Sequence, residues 1–309
     1  MENASITSVT NGQEKSYKRL IEDAAQKGIA LVLEKKYLDK DGMQVLLERG
    51  DELSVAVVEA IVNTSKKLGV SNQFAGEKVN SNYKYPAEYA MKHINEQIQA
   101  IADIFNLNPN PAFTYVKNVL PTLQLPEGAE GWFAVPRWQA VAGTYNEAVE
   151  IAVSKMDASR KFYNYRSGQL GPNYLRLHAR TSAMLDRIAE TQPGDILIIP
   201  LQLGELHKGE SVRRAREIFY EGEFGLGSFQ VLSVALVHPK RLVRFDDLDM
   251  DCAGDEYAPD GVSVFSMSLS VYFDGGEVGF GYGNLGGPGG DYGSVSGFLP
   301  ACRQAGRSS

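Results

Sequence analysis

The chain has 309 residues, 43% of them hydrophobic and 22% charged, with a net charge of -7. That mixture suits a folded protein large enough for one core or two and excludes wholesale disorder. The acidic balance disfavours whole-protein attraction to DNA or anionic lipid. With only Cys252 and Cys302, one chain holds neither a disulfide framework nor a four-cysteine zinc site.

The first 20 residues contain no apolar stretch, and no apolar run approaches the roughly 18 residues of a membrane span. No secretory signal and no membrane segment are expected, and a cytoplasmic location is. A polar lead, 1–13, precedes a mostly helical stretch from Glu14 to Leu68. Leu20, Ile21, Ala24 and Ala25 recur at helical spacing, Gly28 weakens or breaks that helix, and Asp41-Gly42 reads as a turn. A further helix is predicted over Leu53–Leu68, with Leu53, Val57 and Ile61 on one stripe and Gly69 placed as a C-cap. Residues 70–86 read as a loop. Helix resumes near Pro86 and carries Tyr89, Ile94, Ile98, Ile101 and Ile104 or Phe105. Pro121, Pro126, Gly128, Gly131 and Pro136 concentrate turn chemistry in 121–137, the expected boundary between regions 1–125 and 126–309.

Helices are predicted over Trp138–Met156 and Tyr174–Glu190. Asp195–Gly204 reads as a strand apolar on both faces, and its Pro200 implies an edge, a bulge or a break. Ser211–Tyr220 is a short helix capped by Ser211, and Phe229–Val237 is a second apolar strand ended by His238-Pro239. From Phe265 to Phe273, apolar residues alternate with Ser266, Ser268, Ser270 and Tyr272. Asp274-Gly275-Gly276 then turns the chain into a returning strand bearing Val278, Phe280 and Tyr282. Eleven glycines lie between Gly275 and Gly297 and form a Gly-rich C-terminal loop. The expected fold class is α+β: a mostly helical N-terminal region packed on a C-terminal region with mainly antiparallel β-structure.

Five aspartates and one glutamate fall between Asp246 and Glu256. Asp247, Asp249 and Asp251 repeat at the odd positions of an EF-hand loop and Asp255 falls at its ninth, a set of oxygen ligands suited to Ca2+ or Mg2+. Cys252 stands where that loop needs glycine and Ala258 where it needs glutamate, so a standard EF-hand is not formed. The other reading is an acidic turn partnered by Lys240, Arg241 or Arg244. Residues 160–187 carry Arg160, Lys161, Arg166, Arg176, Arg180 and Arg187 against one acid, Asp186, with Phe162, Tyr163, Tyr165 and Tyr174 interleaved. That is nucleic-acid chemistry on a modest scale, or a solvated helix face. Arg213, Arg214 and Arg216 add a second basic set. Anion binding is expected where the two sets meet in space.

Of the four histidines, none forms a His-Glu-x-x-His pair. His207 follows a strand end and is the candidate general base. Cys252 sits among carboxylates, which disfavour a reactive thiolate. Without a complete active-site signature, the favoured function is that of a non-catalytic structural or interaction protein. Its partner is another protein or a second copy, met through Ser266, Ser268 and Ser270 or through Trp132, Phe133 and Trp138. The alternative is a divalent-metal-assisted hydrolase or a phosphate- or nucleic-acid-handling enzyme. Asp247, Asp249, Asp251 and Asp255 would hold the cation, Arg213, Arg214 or Arg244 would neutralise developing charge, and His207 would take the proton.

Overall fold

The computed structural model describes residues 10–68, 72–262 and 264–302; Gly69 lies outside them. The chain divides into two compact units, Met1–Val70 and Ser71–Ser309. The first contains α1 (Asn11–Glu34), α2 (Lys40–Glu48) and α3 (Gly50–Leu68). Thr10 and Gln13 form a reciprocal capping box that starts α1. The helix continues through Gly28, whose cost of about 1 kcal/mol a long helix absorbs. Asp41-Gly42 is not a turn between elements. Asp39 caps α2 by accepting from Gly42 N at 2.7 Å, which places Gly42 in the first helical turn. Tyr17 Oη and Ser65 Oγ meet at 2.5 Å and tie α1 to α3.

The second unit opens with α4 (Ile94–Phe105) and α5 (Asn110–Asn118). Pro86 begins a turn closed by Tyr89 N, and His93 caps α4, so the helix starts later than its apolar residues suggest. Short β1 (Leu123–Gln124) and β2 (Gly131–Pro136) follow. The helix expected over Trp138–Met156 is two: α6 (Trp138–Val141) and α7 (Tyr145–Ser159), divided where Thr144 opens a capping box with Glu147. After β3 (Phe162–Asn164) come β4 (Leu175–Leu177) and α8 (Ala179–Thr191). The N-terminal part of the helix predicted from Tyr174 is therefore extended. Next are β5 (Ile196–Gln202), α9 (Val212–Ile218), β6 (Glu223–Gly225) and α10 (Ser228–Val237). The strand expected at Phe229–Val237 is this helix. All its residues but Leu236 are buried, and a short run apolar on every side is a core helix as readily as a buried strand.

The remaining strands are β7 (Asp249–Asp251), β8 (Asp255–Tyr257), β9 (Met267–Asp274), β10 (Glu277–Asn284), β11 (Tyr292–Ser294), β12 (Ser296–Phe298) and β13 (Ala301–Cys302). The architecture is α+β. β9 and β10 form the predicted hairpin, from Asp274 opposite Glu277 to Met267 opposite Asn284. Gly275 and Gly276 take φ of 58° and 83° between them, the positive pair a two-residue hairpin turn requires. This hairpin is the centre of a seven-stranded sheet, with β7 and β11 beyond β9, β3 beyond β10, and β8 and β4 branching from β9. Leu269, Val271, Val278 and Phe280 face the core. Ser268 and Ser270 are buried as well, and Ser268 Oγ donates to Cys252 O, so the serine row is not an open surface for a partner. Phe133 is likewise a core residue and presents no exposed apolar area.

A four-stranded sheet, ordered β2-β5-β12-β6, and a two-stranded antiparallel pair of β1 and β13 complete the unit. β5 pairs with β2 from Ile196 to Leu201, but with β12 only at Leu201 and Gln202. Pro200 thus lies just past the pairing on the β12 side, where its missing N–H costs no ladder bond. The same pairing carries segment 121–137 into this sheet. The boundary expected at residues 125 and 126 falls inside one compact unit. One continuous core joins α4, α7, α10 and both sheets.

Candidate functional site

The acidic segment is folded inward. Asp247 accepts from Val243 N and Arg244 N, each at 2.7 Å, and closes its own loop. Asp255 takes Tyr145 Oη at 2.6 Å on one oxygen and Ser228 N at 2.8 Å on the other, which fixes the start of α10. Asp249 accepts from Phe273 N at 3.2 Å. Asp249 and Asp251 alternate with Met250, so they share one face of β7. The bonds made by Asp247 and Asp255 point to different partners. Among the described residues no group of three or more His, Cys, Asp or Glu side chains is placed to hold a metal ion. Cys252 is a free, buried thiol, pushed well above its ordinary pKa by burial and then by Asp255 and Asp251.

Burial, with the Asp291 carboxylate adding to it, raises Asp249 to about 8 and Asp251 to about 7. Burial also brings Asp255 to about 6, against the bonds from Tyr145 and Ser228. Carboxyls whose pKa rises on folding hold protons more tightly in the native state. Their contribution to stability is therefore fully present below the unfolded value, about 4, and is lost as pH rises through the folded values. Asp249→Asn is expected to flatten that decline and to stabilise the protein by about 1–3 kcal/mol at pH near 8. Urea melts of both proteins on either side of neutrality measure it. Equal pH slopes for the two proteins would contradict the buried-acid assignment.

His207 is 3% exposed and both its ring nitrogens are engaged: Nε2 with Glu223 Oε1 at 2.7 Å and Nδ1 with Glu210 Oε2 at 3.2 Å. Burial alone would lower its pKa, but hydrogen bonds and charge from the two glutamates outweigh burial and raise it, which favours the protonated ring. Lys78 reaches Glu210 at 3.0 Å, while Ser296 Oγ and Tyr220 N donate to Glu223. A general base needs a free lone pair within reach of substrate. His207 is built instead as a clamp between the turn after β5 and the start of β6.

The arginines have distinct settings. Arg244 pairs with Glu88 beside a cleft of about 390 Å³ that Lys84 and Asp247 also line. Arg214 binds Glu217 at 2.7 Å. Within 160–187, Arg160 holds the carbonyls of Pro239 and Leu242, Arg166 lies over Tyr282, and Arg176 pairs with Glu256 of the acidic segment. Each of these thus has a partner within the fold. Arg180, however, meets Arg213 and Arg216 in a cleft of about 420 Å³ that His178, Thr181 and Phe219 also line. One arginine of the first basic set thus meets two of the second. His178, at the N-cap of α8, had no signal of its own in the sequence; its place follows from His178 N donating to Gly254 O at 2.8 Å. A third cleft, about 760 Å³, lies between α7 and the Leu170–Pro172 turn. Neither His207, Asp249 nor Asp251 lines any of these three clefts.

No family model matches the chain, and no curated protein and no solved structure matches it. No helix among the described residues is long and apolar enough to cross a membrane.

Proposed function

We propose that this chain is a non-catalytic interaction protein that assembles with further copies of itself through its N-terminal helices. One observation carries this reading. Neither α1 nor α2 has a buried residue, and among the described residues 13 of the 24 exposed large apolar side chains lie between Tyr17 and Val62. Ile29, Leu31 and Leu33 are 62%, 48% and 58% exposed. At 100° per residue, Ile29 and Leu33 lie on one side of α1 and Leu31 on the other. The C-terminal part of α1, apolar on both sides, needs cover on more than one side. α3 supplies one neighbour, through Tyr17 and Ser65, and itself exposes Leu53, Val55, Val57 and Val58.

Covering such side chains stabilises an assembly by about 1.5–3 kcal/mol for each one fully buried. A second copy brings the same two apolar helices and needs no other partner, and closed two-fold pairing is the commonest solution for like chains. The engagement of His207, Asp247 and Asp255 in bonds within the fold supports the non-catalytic half of the reading. Leu31→Glu and Val57→Glu place a carboxylate in the proposed interface. Each is expected to weaken self-association by at least about tenfold in light scattering across a dilution series. Association unchanged by both substitutions would overturn the assignment.

A further inference from the structure

The cleft between α8 and α9 carries an unbalanced charge. Arg213 is neutralised at its rim: Nε donates to both carboxylate oxygens of Glu77, at 2.8 and 2.7 Å, while the guanidinium lies 4.5 Å from the centre of the Phe74 ring. Glu217, the carboxylate lining the cleft, accepts from Arg214 and from the backbone N–H groups of Gln73 and Phe74. Arg180 and Arg216 form no ion pair with a carboxylate among the described residues. Arg180 Nη2 donates to Tyr220 O at 2.7 Å, and its buried Nε has no partner. Arg216 donates Nε to Ala253 O at 2.8 Å and Nη2 to Asp255 O at 2.5 Å. Carbonyl oxygens orient these guanidiniums, and the carboxylates that act on them, Glu223 on Arg180 and Glu256, Asp255 and Asp251 on Arg216, do so through space without a hydrogen bond. Two partly desolvated cations at one cleft are costly unless an anion joins them.

Further donors surround the same space. Arg180 and Thr181 belong to the first turn of α8, near the positive pole of the dipole, with the Thr181 hydroxyl donating to Gly225 O at 2.8 Å. His178 Nδ1 accepts from Arg180 N, so the neutral ring carries its proton on Nε2. Burial and the charge of Arg216 hold His178 below the ordinary histidine value, which keeps it in that neutral form. Phe219 forms an apolar wall, and Arg180 lies 5.7 Å from its ring centre.

The geometry points to this cleft as a binding site for a phosphoryl group of a small molecule, held between Arg180 and Arg216 at the start of α8. A carboxylate is planar and presents two oxygens. Guanidiniums from two helices and the first turn of α8 approach from different directions, and a tetrahedral group with three free oxygens meets such a set better. The cleft volume of about 420 Å³ leaves room beyond the phosphoryl group for the rest of a small ligand against Phe219.

Calorimetric titration of the full chain with inorganic phosphate and with acetate at low ionic strength tests the site. Phosphate is expected to bind with Kd of about 1 mM or tighter, and acetate at least about tenfold more weakly. Arg180→Gln is expected to weaken phosphate binding by about tenfold or more. Arg166→Gln, which removes an equal charge that lies over Tyr282 outside the cleft, is expected to change it less than about twofold. A reading that survives a poorly folded variant comes from the unaltered protein: phosphate should slow phenylglyoxal modification of Arg180 and Arg216 relative to Arg176, read by mass spectrometry. No phosphate binding to about 20 mM, equal losses in the two variants, acetate binding as well as phosphate, or uniform modification rates would each overturn the proposal.

Discussion

Replacing His207 by alanine is expected to cost the fold about 3–5 kcal/mol near neutral pH. The substitution leaves Glu210 and Glu223 buried without the cation between them, and Glu223 has no solvent exposure at all. His207→Gln keeps a hydrogen-bonding side chain but not the charge, and is expected to recover only part of the loss. The sign of the pH dependence follows from the raised histidine pKa. The imidazolium contribution is fully present below the unfolded value of about 6.5 and is lost as pH rises through the higher folded value. Denaturant melts of the parent and both variants, taken below and well above neutrality, measure this. A loss under about 1 kcal/mol for His207→Ala would show that the clamp is not an ion pair.

Gly254→Ala is expected to be nearly as damaging, for a steric reason. A Cβ at this position would lie 2.5 Å from Gly227 N, 2.6 Å from Gly225 O and 2.6 Å from Leu226 C. All three are backbone atoms at the junction of β6 and α10 and cannot rotate away. Gly254 N also donates to Leu226 O at 2.7 Å, so the two chain segments are pinned together where they cross. Overpacking of backbone against backbone is expected to cost about 3 kcal/mol or more and to lower the melting temperature by about 6–12 °C. Gly283→Ala is the control, because its Cβ would meet nothing within 4 Å. A change within about 0.5 kcal/mol is expected there, and equal effects at the two glycines would contradict the close-crossing account. Ala253, next to Gly254, lines the arginine cleft, so the Gly254 variant should also lose phosphate binding.

The elements most legible in the sequence are those specified locally. The β9–β10 hairpin announces itself through strict alternation and the Asp274-Gly275-Gly276 turn, and both features act within a few residues. α10 is illegible for the opposite reason. Its apolar run has no polar face to reveal a period, and the group that fixes its start, Asp255, lies 27 residues away from Ser228. The turn chemistry of 121–137 is real, but the ladder joining β2 to β5 is a long-range pairing that composition does not encode. The acidic run suggested a metal because its spacing is regular. Its actual partners, Tyr145, Ser228 and Phe273, come from distant strands and helices. For the cleft, both arginine sets were visible. Their meeting depends on the packing that sets α8 beside α9, and only the three-dimensional structure displays it.

Sedimentation equilibrium of the intact, unaltered chain across about 1–100 µM is the most direct test of an assembly role. The apolar surface of α1 and α3 requires a molecular mass that rises with concentration, or that already exceeds the 33.9 kDa of one chain at the lowest concentration. A single species of 33.9 kDa throughout that range would contradict self-assembly through these helices.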